Sequence, residues 1–149
     1  MLYYTHLAFG FLFGLLYMKG FFVGNQILFI FLVLFGSLLP DIDNPKSKVG
    51  RNAPLIGWFF EHRGIFHSVF PLILLVCLTF VTNWDWFLVP VSVGYGSHLF
   101  IDLFTKKGLR IFYPFKTNVR GFITTGSWFE KLLFLVLLIV DFVLVRGWF

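Results

Sequence analysis

A single cysteine and seven acidic residues in 149 positions close off several classes of protein. The one thiol, Cys77, can form no intrachain disulfide and offers no thiolate set for a metal site. Lying inside an apolar run, it reads as a small packing residue. Charged residues make up 13% of the chain, against about a quarter in soluble domains, which excludes an ordinary water-solvated surface. The sequence carries neither an internal repeat nor a low-complexity linker. Its length leaves room for one bundle, so residues 1–149 are read as a single domain.

Apolar residues fill the space that charge vacates: 58% of the chain is hydrophobic, mean hydropathy is +0.87, and phenylalanine alone contributes 23 residues. The expected fold is an all-α integral membrane bundle. Crossing a hydrocarbon core of roughly 30 Å takes about 20 helical residues, with about 17 as the lower end. Five stretches meet or approach that length: Leu2 to Met18, Phe21 to Leu39, Phe66 to Val81, Trp86 to Phe104 and Trp128 to Val145. The first and third are short and call for local thinning of the bilayer or snorkelling. The N-terminus, MLYYTHLAFG, has no basic leader before its apolar run, so it reads as a retained crossing.

Connections after the first and third segments are brief, whereas Pro40 to Ile65 and Thr105 to Ser127 are long and basic. Those two loops carry Lys46, Lys48, Arg51, Arg63, Lys106, Lys107, Arg110, Lys116 and Arg120, with Lys131 just beyond; the opposite side has Lys19 and Arg146. The positive-inside rule therefore assigns the long loops and Met1 to the cytoplasm and Phe149 to the other face. Trp58, Tyr113 and Trp128 on one side, with Trp84, Trp86 and Trp148 on the other, suit interfacial belts. The net charge of +5 and pI near 9.6 then follow from topology, and no nucleic-acid partner is expected.

Alternation of the five segments brings all four histidines and three of the five aspartates to one side of the membrane. His6 opens the first segment. The second stops at LLPDIDNP, where Pro40 and Pro45 oppose helix continuation and are expected to hold Asp41 and Asp43 on extended backbone. EHRGIFHS supplies His62, Arg63 and His67 at the entry to the third, and GYGSHLFID sets His98 and Asp102 at i and i+4 on one helix face. Intramembrane ionisable groups are costly unless they meet partners. Each motif has a structural alternative: an Asp-rich turn, interfacial histidines, or a His–Asp hydrogen bond locking helices.

The whole set is what a metal centre requires, namely imidazole nitrogens and carboxylates converging from several elements. Two faces favour that convergence: His6 shares one with Gly10 and Gly14, and His98 and Asp102 share another with Pro90 and Gly94, small residues permitting close helix approach. Without thiolates the site is hard to borderline, so one or two divalent ions are expected, zinc first, with manganese and iron as alternatives. Ser127 and Glu130 form an S-x-x-E capping box, which makes Glu130 structural. Asp141 lies about 16 Å further along the same helix, far from the cluster, where Lys19 is an available partner.

In the order TH, LLPDID, HRGIFHS, GYGSHLFIDLFTKKG, YPF and TTGSWFE, nearly the whole chain resembles the YdjM family of inner-membrane proteins, read as metal-dependent hydrolases. A more distant likeness is to zinc-dependent phospholipases C and single-strand nucleases. Those enzymes order an early histidine, an aspartate, a histidine and an H-x-x-x-D pair, as do His6, Asp41 or Asp43, His67, His98 and Asp102. The second downstream H-x-x-x-D of those enzymes is missing here, so one or two ions are carried over and not three.

The resulting expectation is a membrane-embedded hydrolase acting at the cytoplasmic interface on a phosphoester or a lipid-borne group. Asp41, His67, His98 and Asp102 would hold a first ion, with His6, Asp43 and a bridging Asp102 holding a second. Arg63 and His62 would steady negative charge. The competing expectations are a metal or proton transporter and a non-enzymatic membrane scaffold; membrane lipids are the expected partners in each case.

Overall fold

A computed structural model of the chain describes residues 1–45, 47, 50–52 and 64–147. These residues form five α-helices and no strand: α1 (Tyr3–Gly20), α2 (Gln26–Leu38), α3 (Val69–Val81), α4 (Asp85–Asp102) and α5 (Trp128–Arg146). Short 3-10 turns cover Leu39–Asp43, Gly50–Asn52 and Ile65–His67. Local caps move two helix starts from where hydropathy alone puts them. α2 begins at Gln26 and not at Phe21 because the Asn25 side chain accepts from Leu28 N at 3.0 Å. α3 begins at Val69 and not at Phe66 because Ser68 takes the N-cap, accepting from Phe70 N at 3.4 Å.

Asp41 and Asp43 do not lie on extended backbone. Leu39–Asp43 winds on from α2 as a 3-10 helix with Pro40 in its first turn. At that position the missing N–H removes no helical hydrogen bond, so the proline is accommodated where it was expected to break. Both aspartates therefore project from a tight turn at the end of α2.

α4 packs against α1, α2 and α3, and α1 also packs on α2 and α5. The α2–α4 contact is backbone to backbone. A Cβ on Gly94 would stand 1.9 Å from the Val33 carbonyl oxygen, and one on Gly36 would stand 2.4 Å from that of Val91. On the α1 side, a Cβ on Gly10 would come within 2.9 Å of Ser37 Cβ. The small-residue faces of α1 and α4 thus close around the end of α2 that carries Ser37.

Glu130 does more than cap its own helix. Its N–H donates to Ser127 Oγ at 3.4 Å, half of the expected box. Its buried carboxylate instead accepts from Leu2 N at 2.6 Å, Thr5 Oγ1 at 3.2 Å and Gly126 N at 2.5 Å. α1 has no side-chain N-cap of its own, so an anion from α5 serves the orphan donors at its start. Asp141 faces the apolar side of α1 near Phe11, and among the described residues no ion pair joins it to Lys19.

Thr105 to Ser127 folds on itself through isolated bridges, Thr105 with Ile123 and Leu109 with Val119. Val69 N donates to Ile111 O at 2.9 Å, tying this segment to the start of α3. Among the described residues one helical stretch, Gln26–Asp43, is long and apolar enough to cross a membrane, with 18 residues and a mean hydropathy of 1.8; α3 has 13 residues. The outer surface is apolar. Phe22, Ile27 and Phe80 are among the most exposed side chains, and α3 buries none of its residues.

Candidate metal centre

Five of the expected ligands meet where α1 begins, α2 and α4 end, and the turn before α3 enters. His98 is the pivot. Its Nδ1 lies 2.7 Å from the Ser37 carbonyl oxygen. A carbonyl can only accept, so Nδ1 carries the hydrogen and Nε2 of the neutral ring keeps a free lone pair. That Nε2 is buried, has no hydrogen-bond partner among the described residues, and stands 4.0 Å from Asp102 Oδ2. This is the arrangement of a metal-ligating histidine, one nitrogen fixed by a backbone acceptor and the other presented to the site.

His6 stacks on His98, ring centroids 3.8 Å apart and planes at 7°, and His67 meets His98 edge-on at 5.3 Å. All three rings are at most 1% exposed. His6 Nε2 is 3.5 Å from Asp102 Oδ1, and His67 Nε2 is 3.6 Å from Asp41 Oδ1. Both separations exceed good hydrogen-bond lengths. Two ligand atoms sharing a tetrahedral zinc ion at 2.0–2.1 Å stand about 3.3 Å apart, close to what these pairs offer. Two groups result, each with ligand atoms within 4.8 Å of one another: His6, His98 and Asp102, and Asp41, His67 and His98. The amino nitrogen of Met1 also lies 2.7 Å from Asp102 Oδ1, so a cationic group already meets this carboxylate.

The expected sharing of ligands is redrawn. His98, and not Asp102, is common to both groups. Asp43, expected to ligate a second ion with His6 and Asp102, belongs to neither group. Its Oδ2 is instead 3.3 Å from His67 Nδ1, fully buried, where it fixes the ring so that Nε2 faces Asp41. The turn bearing His67 is itself pinned, because the Tyr95 hydroxyl on α4 donates to the Phe66 carbonyl. Asp43→Asn should weaken metal binding roughly 10–100-fold, the usual cost of losing a carboxylate behind a ligating histidine. Competition against a calibrated chelator measures it. His62 and Arg63, together with Lys46, Lys48 and Trp58, lie outside the described residues.

Two contributors escaped the sequence reading. The Ser37 carbonyl is one, since a backbone acceptor leaves no mark in residue type. The other is Glu130, whose hydrogen bonds hold the start of α1 and with it His6; its S-x-x-E spacing announces a cap but not a tie between helices.

The model of the family described as YdjM inner membrane protein matches residues 1–148. The chain belongs to the YdjM family. Among its relatives are the uncharacterized protein YvsG of Bacillus subtilis (strain 168), 31% identical over 110 residues, and the inner membrane protein YdjM of Escherichia coli (strain K12), 30% identical over 93 residues. The first alignment covers 65% of each chain, and the second 56% of this chain and 47% of the relative. The chain thus spans about half to just under two thirds of the length of these relatives. No solved structure matches it.

Proposed function

We propose that this YdjM-family protein is a membrane-embedded, metal-dependent hydrolase that cleaves a phosphoester at the cytoplasmic face of the bilayer. The observation that carries the reading is the buried Nε2 of His98, without a hydrogen-bond partner among the described residues and common to two carboxylate-bearing groups. A purely structural cluster would satisfy that atom, since an unpaired buried polar group costs about 1–3 kcal/mol.

The five helices are read as five crossings. Their apolar outer surface suits lipid, and the membership in an inner-membrane family supports the same view. α3 falls short of a full span and is extended at the site end by the Ile65–His67 turn. The ten-to-two distribution of Lys and Arg supports a cytoplasmic site end under the positive-inside rule. His67 before α3, Asp41 after α2 and Asp102 at the last position of α4 put the ligands at one end of the bundle. Transporter sites sit near the midplane on broken helices, so this placement favours hydrolysis at an interface.

A zinc ion held by His6, His98 and Asp102, or by Asp41, His67 and His98, would supply Lewis-acid activation of water and of the scissile group. The chain's own residues have simpler roles. Ser37 and Asp43 hold the ligating rings in one tautomer and orientation. Arg63 and His62, a few residues ahead of His67, are proposed to receive the anionic ester oxygens.

Purified protein should turn over phosphate mono- or diesters, lose that activity to a chelator, and regain it with zinc. Turnover indifferent to complete metal removal would overturn the proposal.

A further inference from the structure

Between Asp102 at the end of α4 and Glu130 in the first turn of α5 the chain carries five cations, Lys106, Lys107, Arg110, Lys116 and Arg120, and no aspartate or glutamate. The stretch is folded. Thr105 bridges to Ile123 and Leu109 to Val119, and Asn118 Nδ2 donates to the Lys107 carbonyl at 3.3 Å. Gly108 makes the turn with φ 68°, where a Cβ would stand 2.3 Å from the Val119 carbonyl oxygen. Leu109 is buried and packs with Tyr95 and Leu99, which fastens the segment to α4. Thr105 Oγ1 donates to the Asp102 carbonyl at 2.7 Å, so the segment starts directly from an expected metal ligand.

The same segment exposes aromatic rings. Phe112, Phe115 and Phe122 are 57%, 69% and 70% exposed. Lys116 follows Phe115 and Arg120 shortly precedes Phe122; both cations are exposed, as are Lys106 and Lys107. These rings lie outside the five helices, so apolar crossings do not account for them. The positive-inside rule does not account for them either, since it concerns Lys and Arg and asks neither for aromatic residues nor for a lack of acidic ones. Exposed apolar side chains gathered in one ordered segment mark a surface with a partner. Rings interleaved with cations, and no acid among them, match the boundary between acidic headgroups and acyl chains. There the rings enter the apolar side while ammonium and guanidinium groups reach back to phosphate.

We infer that residues 105–123 form an interfacial platform that binds acidic phospholipid headgroups, with Phe112, Phe115 and Phe122 entering the boundary of the leaflet. The inference rests on the reading of the helices as membrane crossings and adds the lipid class that the site end of the bundle engages. Charge complementarity selects that class. A zwitterionic headgroup brings an ammonium of its own to a surface that has no carboxylate to receive it, whereas an acidic headgroup brings only negative charge. A soluble polyanion would match the cations but not the rings. The platform is tied to the metal centre at two points, through Thr105 to Asp102 and through Ile111 to Val69 N, just past His67, at 2.9 Å. Lipid bound to the platform therefore holds the metal centre at the depth of the headgroups.

The test is spin labelling of Phe115→Cys and Phe122→Cys, each in a Cys77→Ser background, with Leu135→Cys as a control at an exposed position of α5. In vesicles of phosphatidylcholine mixed with phosphatidylglycerol, all three nitroxides should be relaxed by oxygen and shielded from a water-soluble nickel chelate. Spin-labelled phosphatidylglycerol should associate with the protein at least about fivefold more strongly than spin-labelled phosphatidylcholine, which is what a single cation near an acidic surface contributes. Combining Lys106→Gln, Lys107→Gln, Lys116→Gln and Arg120→Gln should bring that preference close to unity. If the combined variant does not fold, salt at about 1 M, where the screening length falls to roughly 3 Å, removes the same attraction from the parent protein. Three results would overturn the platform while leaving the crossings in place: no preference in the parent protein, a preference unchanged by the folded variant or by salt, or a nitroxide at Phe115 or Phe122 open to the nickel chelate while that at Leu135 is shielded. A nitroxide at Leu135 open to the chelate would overturn the crossings, and the platform with them.

Discussion

His98→Ala should strip divalent metal from the purified protein and bring phosphoester turnover to background. His98 is the side chain shared by both ligand groups, so its loss leaves His6 with Asp102 on one side and Asp41 with His67 on the other. Two protein ligands do not hold zinc in a stable site, where three or four are the rule. The fall in metal affinity should exceed the roughly 100-fold that marks the upper end for outer-shell partners. Some stability goes with it, because the Ser37 carbonyl loses its donor and a small cavity opens, together on the order of 2–4 kcal/mol. Circular dichroism and metal analysis on the same detergent-solubilised sample separate the two effects. A folded His98→Ala protein that keeps its metal would contradict the assignment.

Glu130→Ala should be the most destabilising carboxylate substitution outside the metal centre, at about 3–5 kcal/mol. The carboxylate accepts three hydrogen bonds, two from the start of α1 and one from the loop before α5. Charge-assisted bonds contribute about 1.5–3 kcal/mol each, and the abandoned N–H groups of Leu2 and Gly126 add their own cost. Glu130→Gln should recover only part of the loss, since its amide nitrogen cannot accept from Gly126 N. At a temperature where Glu130→Ala stays folded it should still bind metal, because Glu130 belongs to neither ligand group. Chemical denaturation in mixed micelles measures the stability difference. A variant as stable as the parent protein would show that the tie between α5 and α1 carries no net energy.

The sequence makes the helices legible because hydropathy runs and caps act locally. Ser127 marks the start of α5, whereas hydropathy alone sets the starts of α2 and α3 at Phe21 and Phe66, ahead of the caps at Asn25 and Ser68; the i, i+4 spacing of His98 and Asp102 already places both on one face. The ligand geometry is less legible because it depends on how helices pack. Nothing in LLPDIDNP distinguishes an extended turn from the 3-10 helix that Pro40 begins, yet that choice sends Asp41 toward His67 Nε2 and Asp43 to its Nδ1. The pivotal role of His98 follows from the stacking of His6 upon it. That stacking follows from close helix approach at Gly10, Gly36 and Gly94, a pairwise geometry that no single segment encodes.

The central claim is that this cluster is a metal site, and metal analysis of the purified chain beside Asp102→Asn tests it most directly. Asp102 sets one carboxylate oxygen near His6 and the other near His98. The amide keeps the side chain's size but gives up its charge and is a far poorer ligand. Quantified by elemental mass spectrometry after exhaustive dialysis, the parent protein should retain at least one divalent ion per chain, zinc in preference to manganese or iron, and folded Asp102→Asn should retain much less. Parent protein that emerges metal-free and binds no added zinc, or a folded Asp102→Asn with unchanged metal content, would contradict the account.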